Sequence, residues 1–272
     1  DSDTPASSSV TTDTGDTIIL RFGGFDDSDI TEDNSGLANH TTITMDSSGG
    51  GSGAAYREFT EDKRTSNGTS VTIDTPSGTI AGNLLIAAVV TDGNTKSSMS
   101  PPSGEGWTLI SLQKKNSAVT LGVWWKIADG SESSTHQFSW SGNQEGYGWM
   151  MRFTGHDSTT PIHSFSSNSG SSSSPDCPSV TTTIANCLIV RIGGFDDDDV
   201  SVDNPGLSGN TAITMDESSS GSGTCSGGAG YKAQSSTGSS GISEFSLWGS
   251  EQYRTVTIAI APGGGDSGTV SG

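Results

Sequence analysis

Residues 10–46 and 180–216 are copies of one another. Val10-Thr11-Thr12, Ile19-Leu20-Arg21-Phe22-Gly23-Gly24-Phe25-Asp26-Asp27 and Thr44-Met45-Asp46 superpose on Val180-Thr181-Thr182, Ile189-Val190-Arg191-Ile192-Gly193-Gly194-Phe195-Asp196-Asp197 and Thr214-Met215-Asp216 at a constant offset of 170 without a gap. Roughly half of the positions are identical, more than biased composition produces, so the chain contains a duplication and must fold as repeated units. A weaker copy lies between them. Asn83-Leu84-Leu85-Ile86 matches Asn186-Cys187-Leu188-Ile189, Trp107-Thr108-Leu109-Ile110 matches Asn210-Thr211-Ala212-Ile213, and Trp125-Lys126 matches Tyr231-Lys232. Phe138-Ser139-Trp140 stands where Phe245-Ser246-Leu247 stands. These matches divide the chain into an incomplete module (1–66), two complete ones (67–160 and 176–262), a Ser-rich linker (161–175) and a Gly-rich tail (263–272).

Each unit reads as β. Short segments rich in Ile, Val, Thr and aromatics, such as Asn83–Val90, Ala118–Ile127 and Arg254–Ile260, are separated by Gly, Ser, Asn, Asp and Pro clusters, the pattern of strands and turns. Thr255-Val256-Thr257-Ile258-Ala259-Ile260 alternates, and no segment holds apolar residues at helical spacing over three turns. The expected fold class is all-β, as tandem β-sandwich or jelly-roll-like modules with essentially no long helix. Only 29% of residues are hydrophobic, so each core is thin. The first module stops short of the closing hairpin of the other two. Either Ser70-Val71-Thr72-Ile73 completes it, or it leaves an edge that accepts a strand from another chain.

Charge excludes several partners. With 31 Asp and Glu against 12 Lys and Arg the net charge is −19, which repels nucleic-acid phosphate and anionic lipid. The longest apolar runs, such as Leu84–Val90, fall far short of the roughly 18–20 residues of a membrane helix, so membrane insertion is not expected either.

The segments Asn83-Leu84-Leu85-Ile86-Ala87, Pro101-Pro102-Ser103-Gly104 with Gly106-Trp107-Thr108, Val123-Trp124-Trp125-Lys126 and Arg152-Phe153-Thr154-Gly155 together resemble tandem β-sandwich modules of bacterial secreted proteins and bacteriophage structural proteins. Gly193-Gly194-Phe195-Asp196-Asp197-Asp198-Asp199 and Tyr253–Pro262 are similar to the second half of such modules. The resemblance covers most of residues 67–263, implies an extracellular or virion-surface structural role, and carries no catalytic residues.

Candidate chemistry is sparse. Asp26, Asp27, Asp29 and Asp33, and their counterparts Asp196, Asp197, Asp199 and Asp203, follow a strand and a Gly-Gly pair. They read either as hard oxygen ligands for Ca²⁺ or as solvated acidic loops. No other cofactor is expected. Cys187 and Cys225 would staple an insertion of the last module to its sheet, Cys177–Cys187 is the other open pairing, and the odd thiol is free or joins chains. Trp124 and Trp125 are neighbours on one strand and so face opposite ways. One is core, and the other is a candidate for stacking on a sugar ring. Asn39-His40-Thr41 and Asn67-Gly68-Thr69 match the N-glycosylation pattern. Gly265-Asp266-Ser267-Gly268 reads like a serine-protease nucleophile loop, but it lies in the tail and no histidine sits in a companion motif. The expectation is therefore a non-enzymatic structural subunit of an extracellular filament or virion surface, self-associating through β edges. The rival is an extracellular glycan-binding adhesin.

Overall fold

Leu84-Leu85-Ile86-Ala87-Ala88-Val89-Val90 is apolar at every position, which a strand sustains only when both of its faces are covered. In a computed structural model of the chain, which describes residues 53–263, both faces are. The first five strands are β1 (Ala55–Asp74), β2 (Leu84–Asp92), β3 (Thr108–Lys115), β4 (Val119–Ile127) and β5 (Thr135–Thr154). They form an antiparallel sheet in the order β1-β5-β2-β4-β3. The next nine are β6 (Ile162–Ser172), β7 (Asp176–Cys177), β8 (Thr181–Thr182), β9 (Cys187–Asp196), β10 (Thr211–Glu217), β11 (Cys225–Gln234), β12 (Gly238–Ser239), β13 (Ser243–Glu244) and β14 (Glu251–Ile260). Five of these make a second sheet in the order β6-β14-β9-β11-β10, and β8 with β12 and β7 with β13 form two short pairs. The fold is all-β.

Both sheets thread their five main strands identically: first, last, second, fourth, third. Even the irregularities coincide, because Thr108 faces Trp125 and Thr211 faces Tyr231, and a bulge follows in each at Leu109/Ser111 and Ala212/Thr214. The two central strands, however, correspond with a one-residue slip relative to the sequence match. Leu84 pairs with Phe153 and Ile127, and the residue in that place in the second sheet is Leu188, paired with Ile260 and Ala233, rather than Cys187. A one-residue slip turns a strand over, so Cys187 faces outward.

The two sheets pack on each other. Leu84, Ile86, Ala88 and Val90 of β2, with Tyr147, Trp149, Met151 and Phe153 of β5, share one core with Leu188, Val190 and Ile192 of β9 and Val256, Ile258 and Ile260 of β14. Burying each such side chain is worth about 1.5–3 kcal/mol. The structure thus draws the divisions differently from the sequence. Segments 67–160 and 176–262 each supply one sheet of a single sandwich, the 161–175 segment contains strand β6 rather than a linker, and the boundary at residue 66 falls inside β1. Gly194 and Gly227 sit where the sheets meet closely, since a Cβ would lie 2.9 Å from Val90 Cγ2 at the first and 2.7 Å from the Trp149 ring at the second.

Each sheet also has an outer cover. Over the first, β1 and β5 turn a corner together, so that Val71, Ile73, Phe138 and Trp140 pack on Leu85, Ala87, Val89 and Met150. Val71 and Ile73 therefore roof the first sheet. Over the second sheet lie Cys177, Phe245 and Leu247, against Phe195 and Met215.

Candidate functional site

The carboxylates form the most distinctive chemical feature of the described residues. Asp92 ends β2, Glu145 stands at the corner of β5, Asp196 ends β9 and Asp197 to Asp199 follow it, Glu217 ends β10 and Glu251 begins β14. Lys63 pairs with Asp216 at 2.5 Å, but none of the described ion pairs involves Asp92, Glu145, Asp196 to Asp199, Glu217 or Glu251. Burial, then the Glu145 and Asp197 charges, hold the Asp92 carboxyl above its ordinary value, and burial with Asp92 and Asp197 does the same to Asp196. Burial and the Asp198 and Asp216 charges raise Glu217. Burial, a hydrogen bond with Asp199 and the surrounding carboxylates push Glu251 up to about 7. Asp198 moves the other way, because its Oδ2 accepts the Gly221 N–H at 2.9 Å. Like charges gathered without a counter-cation disfavour ionisation.

The carboxylates of the Ca²⁺ candidates among the described residues bond to their own surroundings. Asp197 Oδ1 accepts from the Asp198 N–H at 3.0 Å and the Thr224 hydroxyl at 3.2 Å, and Asp199 shares its hydrogen bond with Glu251. Asp203 lies beyond them, its N–H donating to the Met215 carbonyl of β10. Among the described residues no three Asp, Glu, His or Cys side chains converge as they would around a metal. Asp26, Asp27, Asp29, Asp33 and Asn39 lie outside the described residues, as does Gly265–Gly268.

The disulfide expectation is corrected. All three cysteines are free and buried. Cys187 and Cys225 sit at opposite ends of the β9–β11 pair, Cys187 against Gln234 and Cys225 against Asp196. Nine residues along a strand is about 30 Å, far beyond the reach of an S–S bond. Burial pushes the Cys177 and Cys225 thiols up to about 12.

Trp124 and Trp125 face opposite ways, as neighbours on one strand must, and Trp124 is the core member. Trp124 is 2% exposed in the outer core of the first sheet, and Trp125 is half-buried and packs against the inter-sheet core. The most exposed indole among the described residues is Trp248, 75% exposed in the turn before β14, where the backbone N–H of this residue donates to the Asp199 carbonyl at 2.8 Å. Its signal in the sequence is position: a Trp between Leu247 and Gly249, outside any alternating run. Asn67 of the second glycosylation pattern is exposed at the β1 corner.

A polar cluster under the 101–107 loop also escaped the sequence reading. Buried His136 bonds Glu105 through Nδ1, and its Nε2 faces Glu132 at 3.7 Å. Lys126 donates to Glu132 at 2.7 Å and lies 5.7 Å above the Trp107 ring. These residues anchor loops to the outer face of the first sheet. No family model matches the chain, and no curated protein or solved structure matches it either.

Proposed function

We propose that this protein is a non-enzymatic structural module that works outside the cell or on a virion surface and self-associates through the open edges of its sheets. The observation that carries this reading is the repetition. One five-stranded unit occurs twice with the same strand order, and the sequence of two of its strands, β9 and β10, is repeated in residues 10–46, a design that grows by adding units and ends in unpaired strand edges. The net charge of −19 suits a solvated exterior and no nucleic-acid partner. The test is negative-stain microscopy with light scattering of the purified chain, with and without chelator. Ordered, concentration-dependent assemblies support the reading, and their loss in chelator would bring Ca²⁺ into it; a uniform monomer in every condition would sink it.

Glycan binding is the second reading, and the exposed Trp248 ring favours it. Indole faces stack on the apolar faces of sugars. Retention on a glycan array that Trp248→Ala abolishes, by a protein that stays monomeric, would put this reading first.

A further inference from the structure

The two sheets end in four edge strands, and three of them carry features that discourage pairing with another chain. β1 contains Arg57, Glu58, Glu61, Asp62, Lys63 and Arg64 and is broken by three register shifts. β3 is bulged at Leu109/Ser111 and ends in Lys114-Lys115. β10 is bulged at Ala212/Thr214, ends in Asp216-Glu217, and has the Asp203 N–H already on its Met215 carbonyl. Charges, bulges and covering loops are the devices by which proteins blunt sheet edges.

β6 has no charges, and its one irregularity lies at its first residues, at Ala259/Ile260 opposite Ile162 to Ser164. Its sequence, Ile162-His163-Ser164-Phe165-Ser166-Ser167-Asn168-Ser169-Gly170-Ser171-Ser172, contains no Asp, Glu, Lys, Arg or Pro. From Ser164–Ala259 to Ser172–Glu251 it pairs with β14 without a shift. Among the described residues, the only backbone groups hydrogen-bonded to those of β6 are in β14. Phe165 is 53% exposed on this strand and faces the core side, because its partner Ile258 does. β1 occupies the same place in the first sheet, so the difference lies in the residues and not in the position.

Building on the self-associating reading above, we propose that β6 is the assembly edge: it pairs antiparallel with β6 of a second copy of this chain, centred on Ser167, to join two second sheets into one ten-stranded sheet. Charge selects the occupant. A chain of net charge −19 repels its own copies, and β6 is the one described edge along which two copies approach with no charged side chain in the strand. Full overlap of β6 with its symmetry mate places Ser167 opposite Ser167 of the second copy, with Cα atoms about 4.5–5.5 Å apart, within the roughly 4.4–6.8 Å that a disulfide spans. A strand pair of this length buries less than the roughly 1,200 Å² at which stable interfaces begin, so the association should depend on protein concentration and strengthen as salt screens the charge.

The experiment uses the full chain. Because the three native thiols are buried, Ser167→Cys places a single exposed thiol among them, and mild oxidation should give a covalent dimer with a 167–167 junction, whereas Thr211→Cys on β10 should not. Phe165→Lys with Ser167→Lys, both at exposed positions, should shift the scattering mass to that of a monomer while the far-UV dichroism stays unchanged. Thr211→Lys should leave assembly intact. Absence of the 167–167 link, or a junction between residue 167 and residues 1–51, overturns the proposal. If the double Lys variant still assembles, β6 is not the edge used and the broader self-association reading stands; if the unaltered chain is monomeric at every concentration and salt, both fall.

Discussion

Across β2, β4 and β5 the first sheet presents Ala87, Trp124 and Met150 to its outer cover; at the same places in the second sheet stand Arg191, Gly230 and Thr257. The bulk has moved from the fourth strand of the unit to the second, and from an indole to a guanidinium. In the first sheet the Trp124 ring packs 5.4 Å from Phe138 in an apolar layer. In the second, fully buried Arg191 donates to the carbonyls of Cys177, Ser240 and Gly241, at 3.4, 3.3 and 2.8 Å, and to the Thr257 hydroxyl. One topology therefore tolerates two solutions to the same outer surface, provided that large and small residues stay complementary across neighbouring strands and that the buried guanidinium finds acceptors, as both terminal nitrogens of Arg191 do while its Nε has none.

Removing the large member of each set should hurt most. Trp124→Ala should cost about 3–5 kcal/mol, read as a lower midpoint in urea denaturation. Arg191→Met nearly keeps the volume but removes the guanidinium from the Cys177, Ser240 and Gly241 carbonyls; Ser240 keeps Lys232 Nζ and Gly241 keeps the Ser240 hydroxyl, so at about 1–3 kcal/mol for a group left unsatisfied the expected loss is about 1–3 kcal/mol. Hydrogen exchange should accelerate first in 238–244, the segment that Arg191 ties down. If Arg191→Met proved neutral, the guanidinium would be only a space-filler and the contrast between the sheets would dissolve. Gly230→Ala comes next. Its Cβ would stand 2.9 Å from Leu207 Cδ1 and 3.0 Å from the Thr211 carbonyl, an overpacking of about 1–3 kcal/mol, whereas Trp124→Phe at the equivalent place should cost less than Trp124→Ala.

The smallest effect comes from the acidic end. Glu251 is raised to about 7 from 4.5, so between those values the folded state holds a proton that the unfolded chain releases. This contribution to stability is fully present below about 4.5 and is lost as pH rises through about 7. Asp92, Asp196 and Glu217, also raised, slope the same way. Solvent screening keeps the Glu251 share below about 1 kcal/mol. Glu251→Gln should flatten stability against pH between 5 and 7, as measured by thermal unfolding; an unchanged slope would place the effect elsewhere.

Strand identity was legible where side chains alternate or where β-branched residues cluster, as in Thr255–Ile260, and the duplication was legible outright. What was hidden is non-local. Leu84–Val90 announces a strand covered on both faces, but nothing in its residues says whether the covering sheet comes from its own repeat or from the next one. β6, a run of Ser and Asn, has no hydrophobic signature, and its strand state comes from pairing with β14. The slip between β2 and β9 was invisible because Leu84-Leu85-Ile86 and Cys187-Leu188-Ile189 match well in the register that puts their faces the wrong way round. Spacing could not reveal that Cys187 and Cys225 lie at opposite ends of a strand pair. Trp124 and Trp248 differ only in what the fold lays over them.

If the two repeats are halves of one sandwich, neither sheet should survive without the other. Five of the six tryptophans (Trp107, Trp124, Trp125, Trp140 and Trp149) belong to the first half and one to the second, so tryptophan emission reports mainly on the first sheet, while hydrogen exchange of β9 and β14 amides reports on the second. Followed together through a urea titration, the two signals should change in one coincident transition with a shared midpoint. Two separated transitions, with the amides of β9 and β14 still protected after the tryptophan signal has been lost, would contradict the shared core and restore a sandwich to each repeat.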